Sequence, residues 1–247
     1  MNHPASIDTT LLKNLRCYLL PAKSEYCQPA FFSHYEKTYS FWHDTIAFAL
    51  REEKNIDEAD HLGGDHFIEN DEAVILFFNN EPIGLFMFHW INTEFAVNRA
   101  LNALKNRFPK SLLDSLFEKK LRHLMLMGQL AVHPDWRKSS AGFGISDMLM
   151  DFAVTQFLES NADVLLTTTR NNRHTNELCY RHGGKKVADN AKVFHVASDI
   201  VMFDRHCVKP IPLQSLQQIT HQLWEDKIVG WVDMPLPFIN DDSFVIG

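Results

Sequence analysis

The stretch that decides the fold is Leu124–Phe157, which reads LMLMGQLAVHPDWRKSSAGFGISDMLMDFAVTQF. Its first part, Leu124–Val132, is mostly apolar with an interruption at Gly128, which predicts a central strand covered on both faces. Pro134 ends this strand. Apolar residues then recur at helical spacing in Ile145–Phe157, which predicts a helix with one face on the sheet. The stretch therefore reads as a strand, a loop and a packed helix.

The loop between this strand and this helix predicts an anion site. Backbone N–H groups in the first turn of a helix lack partners within the helix, so they point outward and favour phosphate. Gly142 and Gly144 allow a close approach of the backbone to a ligand. An ordinary turn is the alternative that the loop alone leaves open. The predicted anion-binding residues are Arg137, Lys138, Ser139, Ser140, Ala141, Gly142, Phe143, Gly144 and Ile145.

The same region resembles a family motif. Leu130–Arg137 followed by Gly142-Phe-Gly144 is similar to the acyl-CoA-binding motif of the GCN5-related N-acetyltransferase (GNAT) superfamily, apolar-x-Val-x-Pro-x-x-Arg-x-x-Gly-x-Gly. Arg137 stands five residues before Gly142, where the family usually has three, so the loop is wider or Ser140 replaces the first glycine. The resemblance implies that the pyrophosphate of the donor binds this loop and that its pantetheine arm pairs with the strand edge. The implied edge residues are Leu130, Ala131 and Val132.

A later stretch, Asn172–Gly184, resembles a second motif of the superfamily, Asn-x-x-Ala-x-x-Leu-Tyr-x-Lys-x-Gly-Phe. This resemblance implies that Asn172 contacts the cofactor arm and that the residue at the tyrosine position protonates the departing thiolate. Cys179 stands at that position, and Tyr180 follows it. The acid is therefore Tyr180, if the helix is shifted by one residue, or Cys179, for which an inert buried role is the alternative.

The attacking amine also needs a base, because only the neutral amine is nucleophilic. The strand Leu124–Val132 contains no glutamate, and Gln129 cannot titrate. His123, His133 or a chain of water molecules are the alternatives for this role.

The predicted fold class is α/β (α+β), with a mixed, mostly antiparallel central sheet that contains a splayed parallel pair and is flanked by helices. Glu72–Ile91 predicts a hairpin that turns at Asn79–Pro82. Ala162–Thr169 is the next strand after the central helix, so it should run parallel to the strand before that helix. Lys192–Asp204 predicts two terminal strands around the polar pair Ser198-Asp199. This order agrees with a GNAT-like fold.

Three regions are expected along the chain. Residues 1–71 form an N-terminal helical part of the same domain. It has one or two amphipathic helices in Phe31–Glu53, a loop in Asn55–Asn70, and either a short helix or an added strand near Leu11–Leu20. Residues 72–208 form the core, and residues 209–247 form a C-terminal helix and a tail packed on it. A helical pair broken at Pro109 is inserted at about 92–122, and it serves as a lid over an acyl chain, a dimer surface or added core.

Composition limits the function classes. The formal net charge of −7 over 247 residues argues against general nucleic-acid binding. No run has the length of a membrane span and no signal peptide is recognisable, so a cytoplasmic location is expected. The four cysteines contain no CxxC pair, and the histidines show no HExxH spacing, so reduced thiols and no metal are expected. Seven basic residues form a basic island in the loops of a GNAT-like fold, or are scattered solvated charges: Arg137, Lys138, Arg170, Arg173, Arg181, Lys185 and Lys186.

The resemblance implies an N-acyltransferase that moves an acyl group from acetyl-CoA or another acyl-CoA to a small-molecule amine by direct attack on the thioester. The inserted helices and the 19 phenylalanines favour a longer acyl chain, delivered by CoA or by acyl carrier protein, as in N-acyl amino acid synthases. The alternative is a non-catalytic CoA-binding or dimerising module, since the motif tyrosine and a base on the strand are missing. A homodimer is compatible with either function.

Overall fold

An eight-stranded mixed sheet forms the centre of the computed structural model, which describes residues 13–137, 144–193, 196–209, 211 and 214–234. The strands are β1 Leu15–Pro21, β2 Glu72–Phe78, β3 Glu81–Asn92, β4 His123–Val132, β5 Val164–Arg170, β6 Lys185–Val193, β7 Val196–Phe203 and β8 Ile228–Val229. Their order in the sheet is β6-β7-β5-β4-β3-β2-β1-β8. The helices are α1 Phe32–Glu52, α2 Ile56–Asp60, α3 Asp65–Ile68, α4 Ala96–Arg99, α5 Asn102–Lys105, α6 Lys110–Glu118, α7 Ile145–Glu159, α8 Thr175–Arg181 and α9 Gln214–Glu225. The predicted fold class is confirmed.

Two compact units divide these elements. One contains the described parts of Met1–Met87, Gln129–Phe152 and Pro210–Met234, and the other contains those of Phe88–Gly128 and Ala153–Lys209. We call them the first and the second unit and describe each by itself. No helix in the described ranges has the length and apolar character needed to cross a membrane.

The hairpin of β2 and β3 lies mainly in the first unit and confirms the predicted hairpin. Asn79 and Asn80 both have positive φ, 49° and 64°, which is the backbone of a two-residue type I′ turn. Glu81 and Pro82 already belong to β3, so the turn is shorter than predicted. β2 pairs antiparallel with β1 along its whole length. Added strand is therefore the correct alternative for the N-terminal apolar patch.

Helix α1 confirms the predicted amphipathic helix, since it buries a stripe that includes Phe41, Trp42, Ile46 and Leu50. The predicted loop Asn55–Asn70 is wrong, because it contains the short helices α2 and α3. Each has a single buried apolar side chain, Ala59 or Phe67, and Phe67 meets the ring of Trp42 edge-on with centroids 5.3 Å apart. A helix with a single buried apolar side chain shows no repeating apolar pattern in the sequence, so it could not be predicted from periodicity.

The C-terminal part of the first unit adds α9 and the short strand β8. Strand β8 pairs in parallel with β1, with Tyr18 opposite Ile228. Trp224 of α9 is buried and stacks on Phe152, with ring centroids 5.7 Å apart. These contacts hold the described residues of α9 and β8 against α7 and β1 of the first unit.

The second unit contains the predicted parallel pair. Pairing of β4 with β5 runs in parallel from Leu124 opposite Val164 to Met127 opposite Thr167. The insertion contributes to the core beside these strands, because Leu104, Phe108, Leu113 and Leu116 cluster with apolar residues of β4 and β5. For these four side chains the contacts support the added-core alternative. The first inserted helix is split into α4 and α5, and Phe95 and Val97 are 61% and 70% exposed.

The predicted terminal hairpin is wrong in its position. β6 and β7 meet between Val193 and Val196, and Ser198 and Asp199 lie inside β7. There they pair with Arg170 and Thr169 of β5. A polar pair usually marks a turn, but here Asp199 is buried and hydrogen bonded, so the local pattern misled the prediction.

Candidate functional site

The last part of β4 carries the predicted cofactor edge in the first unit. Gln129 has a φ of 57°, a left-handed conformation that residues with a side chain seldom adopt. Its Oε1 accepts a hydrogen bond of 3.1 Å from Nε1 of Trp42, a fully buried side chain. Ala131 is buried, whereas Leu130 and Val132 are partly exposed. The backbone of β4 thus departs from the regular strand conformation at Gln129, directly before Leu130, Ala131 and Val132. The hydrogen bond from the buried Trp42 stabilises this conformation.

The start of the predicted anion loop is tied back to the strands of the first unit. His133 N–H donates to the carbonyl of Ile83 at 2.9 Å, and Nε of Arg137 donates to the carbonyl of Val132 at 3.0 Å. The Arg137 guanidinium also lies 6.0 Å from the ring centre of Phe48. Lys138, Ser139, Ser140, Ala141, Gly142 and Phe143 lie outside the described residues, so their assignment stays a prediction.

The start of α7 is where the sequence predicts it. The Gly144 carbonyl accepts hydrogen bonds from the N–H groups of Asp147 and Met148, each at 3.1 Å. Ile145 is buried, so it contributes packing at this terminus. A Cβ at Gly144 would lie 2.6 Å from Oδ2 of Asp147, so this carboxylate folds over the first turn. It supplies the negative charge that a helix N-terminus favours, and an anion binding at these amides would have to displace it.

Gly84 of β3 allows α7 to approach the sheet. A Cβ at this position would lie 2.8 Å from both Ile145 Cγ2 and Leu149 Cδ1, and 3.5 Å from the carbonyl oxygen of Ala131. Both of those side chains are buried. The glycine of the predicted hairpin therefore sets the position of the helix start beside the predicted cofactor edge.

A groove of about 680 Å³ borders this region in the first unit. Its walls come from α1, from Glu81 and Pro82 at the start of β3, and from His133 and Pro134 directly after β4. Phe41 and Phe48 give it aromatic surface, and Asp44 contributes a carboxylate. The groove offers room for a ligand next to the first residues of the predicted anion loop.

In the second unit, the predicted acid residues lie on α8 in different surroundings. Cys179 is fully buried, and burial raises the pKa of its thiol to about 12. Tyr180 is partly exposed and its hydroxyl donates to Oδ2 of Asp199 at 2.6 Å. Burial, followed by this hydrogen bond, raises the pKa of Tyr180 to about 12. Asn172 is exposed on the 3-10 turn Asn171–Arg173.

The residue that the sequence did not reveal is Asp199. Its two carboxylate oxygens accept four donors, which are Asn171 Nδ2 at 3.1 Å, Asn176 Nδ2 at 3.3 Å, Tyr180 Oη at 2.6 Å and Lys186 Nζ at 3.0 Å. Burial of the carboxyl opposes ionisation, but these donors outweigh it and lower its pKa to about 2. A polar pair inside a β-rich run was the one available signal, and it reads equally well as a turn.

Two amide oxygens beside Asp199 lack a partner in the described part of the chain. An ionised carboxylate only accepts hydrogen bonds, so the amides of Asn171 and Asn176 must turn their NH₂ groups toward Asp199. Their Oδ1 atoms are then buried without a donor. A ligand N–H group or a water molecule would satisfy them.

The predicted basic residues in this unit are largely engaged with protein groups. Lys186 pairs with Asp199, and Lys185 Nζ lies 3.0 Å from Sγ of Cys207. Burial and the neighbouring Arg173 lower the pKa of Arg170 to about 10. These contacts concern Arg170, Lys185 and Lys186, and the choice between a basic island and scattered solvated charges stays open for the seven residues together.

No family model and no curated protein matches the chain by sequence. Its fold is found in solved structures. BjaI, a CoA-dependent acyl-homoserine lactone synthase solved with SAM and isopentyl-CoA, has a TM-score of 0.52 and 10% identity over 88% of this chain and 94% of that one. The structure of BjaI with MTA has a TM-score of 0.50 and 11% identity, again over 88% of this chain and 94% of that one. FeeM, an N-acyl amino acid synthase from uncultured soil microbes, has a TM-score of 0.48 and 12% identity over 78% of this chain and 91% of that one.

The two matches with BjaI cover most of both chains. The chain therefore has the fold found in this acyl-homoserine lactone synthase.

Proposed function

We propose that the chain is an N-acyltransferase that moves an acyl group from acyl-CoA to a small-molecule amine. The observation that carries the proposal is the course of β4. Its pairing with β5 runs from Leu124 to Met127, while the strand continues through the left-handed Gln129 to Val132. Backbone beyond those pairs suits the amide groups of a pantetheine arm, which can add to a strand edge. The loop and the start of α7 follow directly and suit its pyrophosphate.

In the proposed reaction, the neutral amine attacks the thioester carbonyl, the new C–N bond forms and the C–S bond breaks. The departing thiolate needs a proton, and we assign this role to Tyr180. Its hydroxyl stays protonated at neutral pH because its pKa is about 12. The Cys179 thiol is also protonated, but it is fully buried, which favours the inert role. His133, which lies at the groove, or water takes the proton from the amine.

The donor's acyl length and carrier are part of the test. Thermal-shift measurements with acetyl-CoA and with a long-chain acyl-CoA rank the donors, and release of free thiol across a panel of amines and amino acids reports turnover. The same assay with acylated carrier protein tests the N-acyl amino acid synthase alternative. Stabilisation by an acyl-CoA together with amine-dependent thiol release is the expected result.

A non-catalytic CoA-binding module is the second candidate. It is favoured by the cysteine at the motif tyrosine position and by the lack of a glutamate in the strand Leu124–Val132. Tight acyl-CoA binding without thiol release from CoA or carrier-protein donors would support this module and exclude the enzyme. Absence of binding to any donor would exclude both functions.

Two variants separate the donor site from the acid. Gly142→Asp should abolish acyl-CoA binding, because the loop would gain bulk and negative charge next to the pyrophosphate. Tyr180→Phe should keep donor binding and lower kcat by about 100-fold, the lower range for loss of a general acid. Unchanged kcat in Tyr180→Phe would contradict the assignment of the acid.

A further inference from the structure

We propose that Asp199 is a positioning residue for acyl transfer, which holds the Tyr180 hydroxyl in one direction and in its protonated form. This inference rests on the proposed function. The two side chains come from different elements, since Asp199 lies in β7 and Tyr180 in α8. Their contact of 2.6 Å is the shortest of the four that the carboxylate makes with donors.

The sheet fixes the position of the carboxylate. Strand β7 is paired on one side with β5 and on the other with β6, and Asp199 lies opposite Thr169 of β5. The hydroxyl of Thr169 donates to the Asp199 carbonyl at 3.2 Å. Only 5% of Asp199 is exposed. A backbone held from both sides leaves the carboxylate little freedom to follow a moving partner.

The other donors complete a clamp around Tyr180. Oδ1 of Asp199 accepts from Asn171 and Lys186, so Oδ2 is left for Tyr180 and Asn176. Because the carboxylate can only accept, the hydroxyl hydrogen of Tyr180 must point toward it. The phenol oxygen then keeps its lone pairs on the other side. The contact fixes the position of the phenol oxygen and its ring, and delivery of the proton to a thiolate needs only rotation of the O–H about the C–O bond.

Charge balance explains why the tyrosine, and not the carboxylate, keeps the proton. Lys186 supplies one positive charge to Asp199, which makes the pair neutral overall. The titratable and charged groups that act on Tyr180 are Asp199 from β7, Cys179 from its own helix, and Lys186 from β6 through Asp199. Ionised Tyr180 would place a second negative charge beside the carboxylate.

The first test is a titration of Tyr180 followed by ultraviolet difference absorbance of tyrosinate. In Asp199→Asn the tyrosine should titrate at a lower pH, because the hydrogen bond to the carboxylate and its negative charge are lost, while the part of the rise in pKa that burial causes remains. Comparison with the double variant Asp199→Asn/Tyr180→Phe isolates this residue from the other tyrosines. Asp189→Asn is the matched control, because Asp189 also lies near Lys186, at 3.8 Å, but is exposed. An unshifted titration in Asp199→Asn overturns the inference.

The second test is kinetic. Asp199→Asn should lower kcat by about 10-fold or more with little change in KM for acyl-CoA, and the alkaline limb of the kcat profile should move to lower pH. In the Tyr180→Phe background the same substitution should have almost no further effect, because the hydroxyl that it positions is gone. Additive losses would overturn the inference, since Asp199 would then act independently of Tyr180.

A reciprocal measurement covers the case in which Asp199→Asn does not fold. Removal of the hydroxyl in Tyr180→Phe should raise the pKa of Asp199 from about 2, so acid unfolding should begin at a higher pH than in the parent. An unchanged acid midpoint overturns the coupling. If the parent shows no acyl transfer while both titrations shift, the proposed function fails and the coupling of Asp199 with Tyr180 stands.

Discussion

Gly84→Ala tests the packing that sets the start of α7. The new Cβ would lie 2.8 Å from Ile145 Cγ2 and 2.8 Å from Leu149 Cδ1, where ordinary carbon contacts are about 3.5–4.0 Å. Both neighbours are buried, so they cannot rotate into solvent. Overpacking of this kind costs about 1–3 kcal/mol, and the loss of chain freedom in the unfolded state returns roughly 0.4–1 kcal/mol. We expect a net loss of about 1–2 kcal/mol in the free energy of unfolding.

Urea unfolding of Gly84→Ala and of Gly128→Ala provides the assay with a matched control. Gly128 is a strand glycine with no atom within 4 Å of an added Cβ and no positive φ. Its substitution should therefore be neutral or stabilising by less than about 1 kcal/mol. Equal unfolding midpoints for the two variants would refute the packing argument.

A double-mutant cycle identifies the contact. Leu149→Ala removes the methyl group that meets the new Cβ, so the double variant should be more stable than the sum of the single effects by at least about 0.5 kcal/mol. Acyl-CoA affinity gives the functional readout. If Gly84→Ala is destabilised but binds acyl-CoA as the parent does, the start of α7 is not part of the donor site.

Three further predictions concern single contacts. Burial raises the pKa of Glu72 to about 8, so its stabilising contribution is present below about pH 4.5 and is lost as pH rises through 8. This loss of stability between about pH 4.5 and 8 is on the order of a few kcal/mol, and Glu72→Gln should reduce it. The prediction is contradicted if the urea midpoints of the parent and the variant fall by the same amount over this pH range. Gly183→Ala should lower the free energy of unfolding by about 3 kcal/mol or more, because φ is 95° and the new Cβ would lie 2.0 Å from the Cys207 carbonyl oxygen. A melting temperature equal to that of the parent would refute this prediction. Thr220→Val should cost about 1–3 kcal/mol in urea unfolding and Thr220→Ser much less, since the hydroxyl donates to buried Asp151 at 2.5 Å; equal losses would exclude the hydrogen bond as the cause.

Some elements were predictable because independent signals agreed. In β4 and α7, a continuous apolar run, a proline stop and a helical period all lie in one stretch, and the observed bounds are His123–Val132 and Ile145–Glu159. The hairpin of β2 and β3 combines two apolar runs with Asn79-Asn80, which tolerate positive φ. Long periodic elements and strong turn residues encode their structure locally.

Other features depend on partners far along the chain. Helices α2 and α3 are each held by one buried side chain, and helices this short give periodicity no room to appear. The role of Asp199 depends on donors 13 to 28 residues away, from Lys186 to Asn171. A polar residue in a strand shows its function only when the three-dimensional donors are known. The second motif assigned functional roles to Asn172, Cys179 and Tyr180, and these roles stay predictions.

The backbone of the described residues adds an argument about the proposed cofactor edge and, separately, about the start of α8. Gln129, one residue before the predicted cofactor edge, and His174, the residue before α8, are non-glycine residues in the left-handed region, with φ of 57° and 55°. Such conformations cost about 1–3 kcal/mol each and persist only where the surroundings enforce them. Trp42 supplies that constraint at Gln129 through its hydrogen bond. A glycine at either position would relieve the strain, but it would also free the backbone that the proposed chemistry needs to be fixed. At Gln129 the hydrogen bond from Trp42 therefore fixes the backbone directly before the proposed cofactor edge, at some cost to the stability of the fold.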